Sequence, residues 1–240
     1  MPLLTHSIKD AWRVKKVASV LFLDVQGAFL NIFKEVLLHN MHTQGLPPEY
    51  IKVTKMILTN RKTKLSFDDF LSELIAIDNG NNQGCSLSMI FYAFYNAGLL
   101  EISHPNATDE KQFGFVDDVA LLAIGDNFKE TYDKLTGLMT CPNRAFNWSD
   151  MHYSQFELSK LALMNFSPKP HQNAPLTLTH PSSQKTTMIP PAQSYKFLCI
   201  MFDPKLKWSA QLKEPLGQQK RGSASSDDLP APPPEYPQKA

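Results

Sequence analysis

Two short runs constrain this chain more than anything else in it, because each joins buried-strand chemistry to carboxylates. "VASVLFLDV", residues 17–25, is apolar, rich in β-branched residues and closed by Asp24. "GFVDDVALLA", residues 114–123, sets Asp117 and Asp118 side by side in an equally apolar stretch. Carboxylates are normally kept out of such runs, since burying an unpaired charge costs several kcal/mol. The first run reads as a fully buried strand, and "QFGFVDDVALLAIG" as two short strands folded around the acidic pair. If the two elements are neighbours in one sheet, three carboxylates meet at one edge. Hard divalent cations take such oxygen ligands. Taken alone, an Asp-Asp pair is equally the mark of a turn, where its side chains bond the backbone.

The other segments fill in a mixed fold. "FLNIFKEVLLHNMH" follows Gly27 with helical spacing, placing Phe29, Phe33, Val36 and Leu37 on one face. "GLPPEYIKVTKMILTN" predicts a helix with proline in its first turn, where no amide donor is lost. "TKLSF" and "ELIAIDNG" read as the arms of a hairpin. "SLSMIFYAFYNAGLLEIS", residues 86–103, predicts a helix buried along most of its girth. "FKETYDKLTGLMTCPNRAFNW" predicts an amphipathic helix interrupted at Pro142, and "FELSKLALMNF" ends in a short strand. Residues 168–193 form an extended excursion with at most a weak hairpin, "YKFLCIMFD" a final strand, and "KLKWSAQLKE" the start of a helix. This mixture of strands and helices, with a hairpin at Asp117, predicts an α/β or α+β class with an antiparallel component.

Composition narrows the setting. In 240 residues, 24 Lys and Arg stand against 23 Asp and Glu, so nucleic-acid binding would need a local basic channel rather than a global field. Three widely spaced cysteines, Cys85, Cys141 and Cys199, include no CxxC pair and indicate neither a disulfide framework nor a zinc site. The N-terminus lacks the apolar stretch of a signal peptide, and no apolar run reaches membrane-spanning length. A soluble, non-secreted, intracellular protein with no membrane partner, nuclear or cytoplasmic, is the expectation. From Pro215 onward the apolar content is too low for a core, which predicts a disordered Pro/Ser-rich tail.

"FLDVQGAF" (22–29), "NGNNQGCSLSMIFYAFYNAGLL" (79–100) and "GFVDDVALLA" occur in that order, followed by "FELSK" (156–160) and "YKFLCIMFDPKLKW" (195–208). The series resembles the successive palm motifs of reverse transcriptases, specifically those of non-LTR retrotransposons of the kind found in fungal genomes. Five ordered motifs over residues 8–212 make the resemblance specific where any one alone would not. It implies an α+β palm with a mixed or antiparallel sheet packed on helices over residues 1–212, and a tail over 213–240.

The resemblance also implies a chemistry, RNA-directed DNA synthesis by two-metal nucleotidyl transfer. Asp24 and Asp117 would hold the metals, Mg²⁺ or Mn²⁺, with Asp118 adjacent. The Val25 backbone would pass close to the incoming deoxynucleoside triphosphate, Phe29 would crowd the sugar 2′ position, and Gln83 and Gly84 would line the nucleotide pocket. Lys160 resembles the lysine that neutralises the leaving pyrophosphate, and "YKFLCIMFD" would be the primer-grip hairpin. RNA template and DNA primer are the implied partners. Bland competitors stand beside these roles: Phe29 also suits a core, Gln83–Gly84 a plain turn, and Lys160 a solvated face.

Three departures qualify the pattern. The family's Pro-Gln-Gly is Asn82-Gln83-Gly84, and its later Ser-Pro is Ser88-Met89, so the loop loses a residue that pre-sets its backbone. Fingers and thumb are expected to be largely missing, which implies a truncated palm without processive synthesis. Two readings therefore stay open: a polymerase palm, active or inactive through truncation, and a non-catalytic retrotransposon remnant that binds nucleic acid or protein. "PPEY" (233–236) matches the pattern that WW domains bind, but the same letters recur at 47–50.

Overall fold

The computed structural model describes residues 2–82, 84–104, 106–169 and 174–208. The boundary expected at 212, the tail with its "PPEY", and Gln83 all lie outside the described residues.

A four-stranded antiparallel sheet forms the centre. Its strands are β1 (Val17–Leu23), β6 (Glu110–Phe115), β7 (Asp118–Gly125) and β8 (Ala162–Phe166), in the spatial order β6-β7-β1-β8. β1 pairs with β7 from Val17–Gly125 to Leu23–Val119, and with β8 from Ala18–Phe166 to Phe22–Ala162. The apolar runs are near-continuous because both sheet faces are covered. Leu21, Leu23, Val119, Leu121 and Leu163 face one core, while Val20, Phe22, Ala120, Leu122 and Met164 face another.

Helices cover the first face: α2 (Lys34–Thr43), α3 (Pro48–Leu58), α4 (Ser86–Asn96), α5 (Phe128–Thr140) and α6 (Ala145–Met151). They contribute Leu37, Met41, Leu58, Phe91, Tyr92, Tyr95, Leu135 and Trp148 to its core. The second face is covered by α1 (Pro2–Arg13), through Leu4, Ile8 and Ala11, and by a small hairpin, β11 (Tyr195–Phe197) and β12 (Ile200–Phe202), through Phe197 and Phe202. Two outlying elements complete the described chain. One nests β2 (Arg61–Thr63) with β5 (Ile75–Ile77) around β3 (Ser66–Phe67) with β4 (Phe70–Leu71), and the other pairs β9 (Leu176–Thr179) with β10 (Thr186–Ile189). The three cysteines are free and exposed. Among the described residues no helix is long and apolar enough to cross a membrane.

Four local expectations need correction. The helix after Gly27 starts only at Lys34, because the carbonyls of Phe29 and Ile32 accept from the amides of Asn81 and Gly80 instead of from a helix turn. α4 is buried along one side only: Leu87, Met89 and Ile90 are exposed, and a 3₁₀ turn (Ala97–Glu101) replaces its expected last turns. "YKFLCIMFD" is a hairpin, as the resemblance implies, rather than the one strand its local pattern suggests. Its two turn residues, Leu198 and Cys199, both take positive φ (48° and 62°), the type I′ pattern, without the Asn-Gly that usually marks it. Lys205–Trp208 are not helical. Asp203 gathers the amides of Lys205, Lys207 and Trp208 on its carboxylate, and Leu206 and Trp208 take positive φ.

Candidate active site

The sheet brings the acidic residues to one end. Asp24 follows directly on Leu23, whose partner Val119 follows directly on Asp118. Asp118 opens β7 opposite Phe115 of β6, so Val116 and Asp117 form the two-residue turn between them. Val116 has φ 58°, and for a β-branched residue that is a strained conformation. Gly114 has its own reason: a Cβ there would lie 2.7 Å from Leu100 Cδ2 in the 3₁₀ turn overhead.

On the other side of Asp24 stands β8. The main chain of 24–26 is pinned to the segment before β8: Glu157 donates its amide to the Asp24 carbonyl (2.9 Å), Gln26 donates to Gln155 (2.8 Å), and Val25 bridges Phe156. Two residues before β8, Lys160 reaches across and donates from Nζ to Asp24 Oδ2 at 3.0 Å. This bond and the Asp24 charge hold the Lys160 ammonium above the ordinary lysine value.

The acidic end is electrostatically coupled. Asp118 is held above the usual carboxylate range, chiefly by burial and further by the charges of Asp117 and Asp24. Tyr195 of β11 stacks on Phe22 of β1 at 4.5 Å, and its hydroxyl is raised by burial, then by Asp118 and Asp24. Tyr92 of α4 is fully buried, and its hydroxyl has no hydrogen-bond partner among the described residues. Burial raises that hydroxyl most, with Asp117, Tyr95 and Asp24 adding to it. Even so, no three His, Cys, Asp or Glu side chains among the described residues are gathered closely enough to hold a metal ion.

Phe29 and Gly84 meet at a cleft of about 400 Å³, lined also by Cys85, Ser86, Ser88 and Met89. Phe29 packs on the core as well, its ring 5.3 Å from that of Tyr92, so packing and lining are one placement. The loop beneath is tied down without proline. Gly80 takes φ 81° and donates to Ile32 (2.8 Å), and a Cβ there would lie 2.6 Å from the Leu30 carbonyl oxygen. Ser88 donates to the Asn82 carbonyl at 2.6 Å, and Arg61 donates to that of Asn79 at 3.0 Å. Larger clefts of about 640 and 690 Å³ share Gln26, Ser149, Asp150 and Gln155, and none of the three clefts is lined by Asp24, Asp117 or Asp118.

Sequence reasoning missed Tyr92, Asn96 and Tyr195. The signal for the first two was present: polar side chains four apart on an apolar helix share one buried face.

The fold has solved counterparts in telomerases from Candida tropicalis. The telomerase in complex with a TWJ fragment of telomeric RNA matches 77% of this chain and 32% of its own at 11% identity, with a TM-score of 0.53. An apo telomerase from the same yeast gives 0.52 over 78% of this chain and 35% of its own, also at 11% identity. In sequence, the chain is 24% identical over 206 residues to the RNA-directed DNA polymerase from the Drosophila melanogaster mobile element jockey. The chain is reverse-transcriptase-like. The sequence likeness is to a mobile-element polymerase, and the fold is an α+β one with an antiparallel sheet packed on helices. The jockey match takes in 85% of this chain and spans about a fifth (21%) of that relative's length. No family model matches.

Proposed function

We propose that this reverse-transcriptase-like chain supplies the palm of an RNA-directed DNA polymerase. The observation that carries the reading is that strand register brings Asp24, Asp117 and Asp118 to one end of the sheet, where Lys160 pairs with Asp24. The donor set suits hard divalent cations, because it consists of carboxylate oxygens whose mutual repulsion a cation would relieve. Asp24 and Asp117 would hold Mg²⁺ or Mn²⁺, with Asp118 beside them. When bound, two such ions activate a hydroxyl nucleophile and stabilise the leaving phosphate oxygen.

The chain's own residues have the remaining tasks. The cleft receives a deoxynucleoside triphosphate, with Phe29 crowding the sugar 2′ position and the Gln83–Gly84 loop beside the base. The Val25 main chain, pinned by Phe156 and Gln155, gives the phosphates a fixed wall. Lys160, cationic at neutral pH as lysines ordinarily are, neutralises the departing pyrophosphate. The β11–β12 hairpin, whose Tyr195 lies within electrostatic reach of Asp118 and Asp24, positions the primer 3′ hydroxyl. RNA template and DNA primer are the corresponding partners. Positioning and electrostatics carry the rate in such transfers.

The test is single-nucleotide extension of a DNA primer on an RNA template with Mg²⁺ or Mn²⁺. The expected result is incorporation that Asp117→Ala reduces at least about 100-fold, as for groups that position reacting atoms. Incorporation unchanged by Asp117→Ala would refute the assignment.

A second reading, a non-catalytic module that binds nucleic acid or protein, is favoured by two observations: Lys160 already engages the Asp24 carboxylate, and no metal-sized cluster is preformed among the described residues. Indifference of the protein to Mn²⁺ would favour it.

A further inference from the structure

The turn that carries the acidic pair is bent through a residue that resists the bend. Val116 alone of the two turn residues has positive φ, the pattern of a type II′ turn, where glycine is the ordinary occupant at that position. A strained conformation of this kind persists only where its surroundings over-determine it. Here the surroundings are α4 and the 3₁₀ turn that follows. Asn96, the buried last residue of α4, donates from Nδ2 to the Val116 carbonyl at 3.0 Å. One turn further on, Leu100 presses on Gly114 of β6.

Asn96 is a costly choice for a packing residue. Its Oδ1 is buried and has no hydrogen-bond partner among the described residues. Leucine would fill similar space without an orphaned acceptor, so the feature that justifies asparagine is its donor. We infer that Asn96 is a positioning residue for the acidic turn: its amide clamps Val116 in the left-handed conformation and so fixes where β6 ends and where Asp117 and Asp118 are presented. The inference rests on the polymerase reading for its consequence, since the positioned groups are those assigned to the metals, while the clamp itself stands on geometry alone.

A cycle of Asn96→Leu, Val116→Gly and the double variant tests it, with two readouts. Hydrogen–deuterium exchange of the metal-free protein reports the clamp, and an Mn²⁺ titration followed by electron paramagnetic resonance reports its consequence. Asn96→Leu should speed exchange at residues 115–118 about tenfold relative to β1 and weaken Mn²⁺ binding about tenfold, as loss of an orienting partner typically does. Glycine needs no clamp at positive φ, so adding Val116→Gly to Asn96→Leu should restore most of the Mn²⁺ affinity. A purely structural Asn96 would show no such rescue, and that result would overturn the positioning role. Unchanged exchange at 115–118 in Asn96→Leu would refute the clamp whatever the metal does. Absence of Mn²⁺ binding by the unsubstituted chain, with exchange behaving as expected, would instead sink the polymerase reading and leave the clamp without its catalytic consequence.

Discussion

Asp118 is the aspartate whose surroundings oppose its charge most plainly, through burial first and the neighbouring Asp117 and Asp24 second. Its folded pKa lies above the unfolded value, so between the two the unfolded chain binds fewer protons and stability falls as pH rises. Removing the charge should therefore help the metal-free fold at neutral pH. In EDTA at pH 7, Asp118→Asn is expected to raise Tm by roughly 1–2 °C, a small gain because solvent screens this half-buried group. That gain should fade as pH falls through the raised pKa of Asp118 toward the ordinary carboxylate value of about 3.9. A lower Tm at neutral pH would mean that the charge is compensated. The residues themselves were legible at this scale: "FLDV" and "FVDD" are visible as carboxylates in apolar runs. The ion pair of Lys160 with Asp24 was not, because the two lie 136 positions apart and only the β1–β8 pairing joins them.

Among the elements, those with a strong internal period were legible and those shaped by distant partners were not. β1, β7 and α3 follow their sequence patterns, since burial on both faces and proline in the first turn are local signals. Segment 28–33 has helical spacing, yet its carbonyls serve the 79–82 loop, which no local pattern announces. The β11–β12 hairpin was implied by the motif resemblance but not by local turn chemistry: Leu198 and Cys199 take positive φ without Asn or Gly, between Phe197 and Phe202 on the core. Left-handed backbone costs an ordinary side chain roughly 1–2 kcal/mol. Cys199 is exposed, so Cys199→Gly should lose no packing and raise Tm by roughly 2–4 °C, an increment on the order of 1 kcal/mol. A fall in Tm would show that the turn is held differently.

For the molecule as a whole, the arrangement explains why carboxylates can stand at the end of apolar strands. The sheet is covered on both faces along its length, and Asp24, Asp117 and Asp118 stand at one end of it, where Lys160 pairs with Asp24. The likeness to telomerase structures concerns this layered fold, and the likeness to the jockey polymerase concerns about a fifth (21%) of that protein's length. What decides between a polymerase palm and a silent one is whether the three aspartates act together on a cation. An Mn²⁺ titration of the unsubstituted chain, Asp24→Asn and Asp117→Asn, followed by electron paramagnetic resonance, tests this most directly. The account predicts millimolar-range binding that weakens roughly tenfold or more in either variant. Equal binding by all three proteins, or none by the unsubstituted chain, would contradict it.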